Sequence, residues 1–120
     1  AKINKCKFYL AGGKEDINLI NIFKKSSVGK YCESFEKLNI KETLPIIKNC
    51  DCYIGNDTGF SHLSVAYSKK TYVILGDCPP HTYSNLILPI DKDDDVKRSI
   101  DSIKTIKLEK VLNYLNKHLI

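Results

Sequence analysis

A short apolar strand runs directly into a glycine-flanked polar turn at Tyr53-Ile54-Gly55-Asn56-Asp57-Thr58-Gly59-Phe60-Ser61-His62. The rest of the chain is arranged around this junction. The turn opens an amphipathic helix through His62, Leu63, Val65 and Ala66. In an open α/β sheet, ligands bind at such a place, outside the carboxyl end of a strand. The first turn of a helix carries backbone N–H groups without intrahelical partners and the positive end of the helix dipole. Both favour an anion, and a phosphate is the natural guest. Asp57 and Thr58 are also good helix caps, so the same residues suit an ordinary capped turn.

The flanking pattern supplies the class of fold. Residues 6–11 read as a strand closed by Gly12-Gly13. Residues 15–25 read as a helix whose Ile17, Ile20, Ile22 and Phe23 face the sheet. A turn at 26–30 and a weak strand at 31–35 follow. Asn39 with Glu42 three positions on has the form of a capping box for the next helix, in which Pro45 marks a kink or a later start. The central strand covers 52–55, and its helix runs to about Ser68. Residues 71–75 are the most strand-like run, and 86–90 form another short strand. Cys78-Pro79-Pro80-His81 is a rigid loop. Asp91 to Asp95 reads as an acidic turn or helix start, most simply a solvated surface, and residues 108–119 as a helix with Val111, Leu112, Leu115 and Leu119 inward. Strands alternating with helices predict an α/β fold: a Rossmann-like parallel sheet with helices on both faces, in a single domain spanning 1–120.

Charge and cysteine content narrow the function classes. The net charge of +5 comes mostly from dispersed Lys. It allows attraction to a nucleotide diphosphate or to an anionic membrane face. Clustered Arg and a stacking-aromatic pattern are both missing, so nucleic-acid binding is not expected. No apolar run approaches the length of a membrane span, and no signal peptide is visible. Five cysteines is an odd count for a disulfide framework, so reduced thiols and a cytoplasmic location are expected. Cys50-x-Cys52 with His62 and Cys78-x-x-His81 can be drawn as a zinc site. Cys50 ends a helix and Cys52 begins a strand, however, so small buried hydrophobes account for both. The reading is no metal and no cofactor.

Gly55-Asn56-Asp57-Thr58-Gly59-Phe60-Ser61-His62-Leu63 resembles the Asp-Thr-Gly-x-x-His signature of the heptosyltransferase family. These are GT-B glycosyltransferases that move heptose from ADP-heptose onto lipopolysaccharide. The likeness extends to Lys70–Gly76, which resembles the family's next strand, and to Leu38–Asp51, which resembles the helix before the signature. Leu10-Ala11-Gly12-Gly13-Lys14-Glu15-Asp16 resembles an earlier strand-to-Gly-Gly turn. The resemblance implies the C-terminal, donor-binding half of a GT-B fold. Its ligand would be an ADP-heptose-like nucleoside-diphosphate sugar, and its partner an N-terminal acceptor-binding domain. The setting would be cell-envelope glycan synthesis in the cytoplasm or on the inner face of the membrane. The chain starts at what resembles the second strand of that half. In a 3-2-1-4-5 order the missing strand would lie mid-sheet.

Residue roles follow from the same resemblance, each beside a plainer one. Thr58 and Gly59 would give backbone amides to the diphosphate, with the Thr58 hydroxyl assisting. Asp57 would meet the donor sugar's hydroxyls, or cap the helix. His62 would contact the ligand, or sit as a satisfied core histidine. Asp16, or Glu15 beside it, would hold the ribose, or occupy a first helical turn for its dipole. Leu38 would lie against the base, or simply pack. The loop Gly76-Asp77-Cys78-Pro79-Pro80-His81 departs from the family's Gly-Pro-Thr type of turn. Asp77 brings negative charge there, and His81 is either a compensating phosphate or sugar contact or a surface residue. No catalytic residue is assigned, because the resemblance puts the base in the N-terminal domain. The 120 residues alone are expected not to transfer sugar. The readings from other classes are a non-catalytic nucleotide-binding module and a flavodoxin-like interaction domain. Binding to a nucleoside diphosphate separates them.

Overall fold

The computed structural model describes residues 6–119, and the chain divides into two compact units, 1–44 and 45–120. In the first unit, β1 (Phe8–Leu10) pairs in parallel with β2 (Cys32–Ser34). A 3-10 turn (Lys14–Asp16) and α1 (Ile17–Lys25) lie between them in the chain. The Asp16 carboxylate accepts a hydrogen bond from the Gly13 amide at 3.0 Å and so closes the turn that starts the helix. Of the four apolar residues expected to face the sheet, Ile20 is buried; Ile17, Ile22 and Phe23 are exposed. A helix packed along one narrow line buries one position per turn or two, and the adjacent pair Ile22 and Phe23 cannot share that line.

Helix α2 (Ile40–Asn49) straddles the division between the units. Its start has the capping box that the sequence announces. The Asn39 side chain accepts from the Glu42 amide at 3.0 Å, and the Glu42 carboxylate accepts from the Asn39 amide at 2.8 Å. Pro45 lies inside the helix, so it does not mark the start.

In the second unit, β3 (Cys52–Asn56), β4 (Lys70–Ile74) and β5 (Ile87–Ile90) form a parallel sheet in that order. The predicted single sheet is therefore two parallel sheets. The described strands pair as β1 with β2 and as β3, β4 and β5. The centre of the second sheet is β4, where Thr71, Tyr72 and Val73 are all buried. Continuous burial is the mark of a strand covered on both faces. On one face Val73 joins Leu75 and Ile87, with Val65 of α3 (Gly59–Ala66) packed against them. Tyr72 points to the other face, because successive residues of a strand alternate. Its hydroxyl donates to the His118 carbonyl of α4 (Leu108–Leu119) at 3.2 Å. Pro89 sits in the edge strand β5, where a missing N–H is tolerated.

Helix α4 has the predicted bounds but not all of the predicted buried face. Leu112 is 50% exposed and Leu119 is 46% exposed. The helix docks through Tyr114, Leu115 and His118, which are half-buried with Val111. The Tyr114 and His118 rings lie tilted against each other, with centroids 4.4 Å apart, and the His118 carbonyl takes the Tyr72 hydroxyl on that side.

The register aligns the carboxyl ends of all three strands: Asn56 is opposite Ile74, which is opposite Ile90. The loops that follow leave from one end of the sheet. The loop after β4 is fixed at two points. Gly76 is buried, and a Cβ there would overlap the backbone of Ile103 in the 3-10 turn Ser102–Thr105. Arg98 then donates to the Cys78 carbonyl at 2.7 Å and grips Asp91 with both nitrogens, at 3.0 and 2.7 Å. Asp91 is thus no solvated acid. It joins the end of β5 to the loop after β4.

Two outcomes follow from these fixings. Gly76→Ala is expected to cost about 1–3 kcal/mol, because the overlap is with backbone; a lowered urea midpoint measures it. The Arg98 hydrogen bond, opposed by burial, holds the Asp91 carboxyl below its ordinary value. A depressed carboxyl contributes stability that is present above the unfolded value, about pH 4, and is lost as pH falls through the folded value. The stability gap between the wild type and Asp91→Asn should therefore narrow from about pH 6 to about pH 3. Urea titrations at both pH values measure the gap.

Candidate functional site

The candidate site lies in the second unit, at the carboxyl end of its sheet. Two of the three loops there supply its side chains. Asp57 and Thr58 follow β3, His62 stands in the first turns of α3, and Cys78, His81 and Tyr83 come from the loop after β4.

Thr58, in extended backbone geometry, is the N-cap of α3. The Ser61 hydroxyl accepts from the Thr58 amide at 3.3 Å and donates to the Thr58 carbonyl at 2.7 Å. The Thr58 hydroxyl stands 3.4 Å from that of Tyr53. Gly59, the first helical residue, has open space in front of it: beyond its chain neighbours and its own helix's backbone, a Cβ there would meet no atom within 4 Å. Its backbone has no positive φ, so the turn does not require glycine for strain relief. What glycine provides is clearance.

Asp57 does not cap the helix. One of its oxygens, Oδ2, lies 2.8 Å from His81 Nε2 and accepts from the Cys78 thiol at 3.3 Å. The other, Oδ1, is shut off from solvent and accepts no hydrogen bond, with His62 Nε2 3.4 Å away. Burial pushes the Asp57 carboxyl up. The hydrogen bonds from His81 and Cys78, with the charge of both imidazoles, outweigh this and hold it below the ordinary carboxylate range. Burial, followed by the neighbouring carboxylate, pushes the Cys78 thiol up, so it stays protonated at neutral pH.

His62 is exposed on the surface of the unit, so it is no core histidine. Its Nδ1 pairs with the Tyr83 hydroxyl at 2.7 Å, and the two rings stack. The His81 ring lies edge-on to the His62 ring, with centroids 5.2 Å apart. Asp57, His62 and His81 each place one ligand-type atom within 4.8 Å of the others. The cysteine pair Cys50 and Cys52 lies outside that group. No disulfide joins the five cysteines.

The structure thus brings together Asp57, Thr58, Gly59, His62 and His81. Asp16, Glu15 and Leu38 belong to the first unit. Asp16 holds the Gly13 amide, while Glu15 and Leu38 are exposed. Their expected ribose and base roles rest on the resemblance alone. Sequence reasoning missed Tyr83 and Arg98. Tyr83 follows the Pro-Pro-His loop by two residues, which was a signal for its proximity. Arg98 is the chain's one arginine, and that singularity was the available signal for a specific bidentate partner.

No helix among the described residues is long and apolar enough to cross a membrane. No curated protein and no solved structure matches the chain. The family model for glycosyltransferase family 9 (heptosyltransferase) matches residues 3–117, nearly the whole length. The chain therefore belongs to glycosyltransferase family 9, the heptosyltransferase family.

Proposed function

We propose that this chain binds the nucleotide-sugar donor of a sugar transferase, with the donor's diphosphate at the start of α3. The observation that carries the reading is the clearance in front of Gly59, at a helix start outside the carboxyl end of a parallel sheet. Open space there lets a phosphate oxygen approach the Gly59 amide, at the positive end of the helix dipole. Family membership supplies the reaction class, transfer of a sugar from a donor to an acceptor. The donor is an ADP-heptose-like nucleoside-diphosphate sugar, and the acceptor belongs to a lipopolysaccharide-type envelope glycan.

Each residue has a role in this reading. The Gly59 amide takes a diphosphate oxygen, and the Thr58 hydroxyl adds a hydrogen bond to it. His62 and His81 bring donors, or positive charge when protonated, to the same end of the sheet. Asp57 orients both imidazoles and faces the sugar end of the ligand. In transfer, the displaced group is the nucleoside diphosphate. The helix start and the imidazoles stabilise the charge that develops on it as the anomeric bond breaks. The acceptor and its base come from an N-terminal domain working at an inner membrane face, where the acceptor lipid lies.

Calorimetry with ADP-, UDP- and GDP-sugars tests the reading. Binding of one of them with release by its bare nucleoside diphosphate is expected. Gly59→Val should fold normally, because its side chain enters empty space, yet abolish that binding. Thr58→Ala removes a hydrogen bond to a charged group, about 1.5–3 kcal/mol, or roughly ten- to a hundredfold in affinity. Undiminished nucleoside-diphosphate affinity in folded Gly59→Val would sink the phosphate site.

A further inference from the structure

We propose that Asp57, His62 and His81 form a binding site for a divalent first-row transition cation, with Zn2+ as the best-suited ion. Two imidazole nitrogens and one carboxylate are a ligand set for zinc and its neighbours, and they leave a fourth position for water or an anionic oxygen. Magnesium and calcium prefer all-oxygen shells.

The geometry fits an ion at this point. Donors held about 2.0–2.1 Å from a tetrahedral zinc stand roughly 3.3 Å from one another. His62 Nε2 is 3.4 Å from Asp57 Oδ1, and His81 Nε2 is 2.8 Å from Oδ2. One donor atom from each of the three residues lies within 4.8 Å of the others, and rotation of the rings and the carboxylate closes the set onto one ion.

Hydrogen bonding within the cluster is incomplete without a cation. A neutral imidazole has one N–H and one lone pair. When His62 gives its Nδ1 proton to Tyr83, its Nε2 lone pair confronts Oδ1, an acceptor facing an acceptor. When Tyr83 donates instead, the 3.4 Å separation still leaves Oδ1 without a hydrogen bond. Oδ1 is closed to solvent, so water does not repair the mismatch. A cation between Nε2 and Oδ1 satisfies both.

The surroundings are those of a metal site. Metal-binding histidines use the second ring nitrogen for a partner that fixes the tautomer, and Tyr83 is placed to do this for His62. His81 is pre-positioned by Pro79 and Pro80 and by the Arg98 bond to the Cys78 carbonyl. The cation site does not depend on the nucleotide reading. Where that reading holds, a phosphate oxygen takes the fourth position.

The test uses the chain stripped with a chelator and titrated with Zn2+ and with Co2+ by calorimetry and visible absorption. One ion per chain with a tetrahedral Co2+ spectrum is expected. His81→Gln and Asp57→Asn should weaken binding roughly a hundredfold or more, and the exposed Tyr83→Phe about ten- to a hundredfold. Cys78→Ser should leave binding intact. No retained ion would overturn the proposal. So would binding unchanged in Tyr83→Phe and in folded His81→Gln, or binding lost only in Cys78→Ser, which would make a thiol the holder. Because no nucleotide is added, these outcomes are separate from success or failure of donor binding.

Discussion

The second unit depends on the burial of Thr71, Tyr72 and Val73 on both faces of its sheet. A strand covered on both sides has to be central, and parallel neighbours have to reach it through crossovers. The segment 59–66 is such a crossover and covers one face through Val65, and α4, after the last strand, covers the other through His118. Parallel pairing in register then puts Asn56, Ile74 and Ile90 at one level. Every polar loop of functional interest emerges beyond that level. The site's location is thus a consequence of hydrophobic burial several residues away from any chemistry.

The elements of the fold were legible where local chemistry and tertiary packing agree. Residues 71–75 read as the most strand-like run because β-branched and aromatic residues dominate it. The start of α2 was legible because Asn39 and Glu42 satisfy each other's amides locally. Helical faces were read less well. Leu112 and Leu119 lie on the apolar stripe, yet the helix docks about Tyr114 and His118, and periodicity cannot choose between adjacent stripes. The division into two sheets was not legible in the sequence. Strand pairing is a long-range choice, and no short stretch encodes it.

The site was legible in its backbone and less so in its side chains. The strand–turn–helix at Asp57-Thr58-Gly59 is a local pattern, and it appears at the predicted residues. The partners of Asp57 are His81 and Cys78, more than twenty residues away in the chain. Sequence spacing carried no sign of that meeting. The bond from Arg98 to Asp91 escaped for the same reason. An acidic run next to a basic segment reads as a solvated face, and only the fold selects Asp91 for Arg98 while leaving Asp94 and Asp95 exposed.

The meeting of Asp57 with two imidazoles resolves an electrostatic conflict in the loop sequence. A helix start favours an anion, yet Asp57 lies directly before it and Asp77 follows β4. Two carboxylates near a presumed diphosphate would repel it, and the positive end of one short helix is a weak counterweight. His62 and His81 change the balance by surrounding the nearer carboxylate. Positive charge on these rings, or a cation held between them, would offset the charge of Asp57 and lessen its repulsion of a phosphate bound as proposed. Asp77 brings the extra negative charge by which this loop departs from the family's usual turn, and His81, in the same loop, pairs with Asp57. An Asp77→Pro change towards the usual turn should lessen the dependence of anion binding on His81, and removing His81 while Asp77 stays should weaken it most.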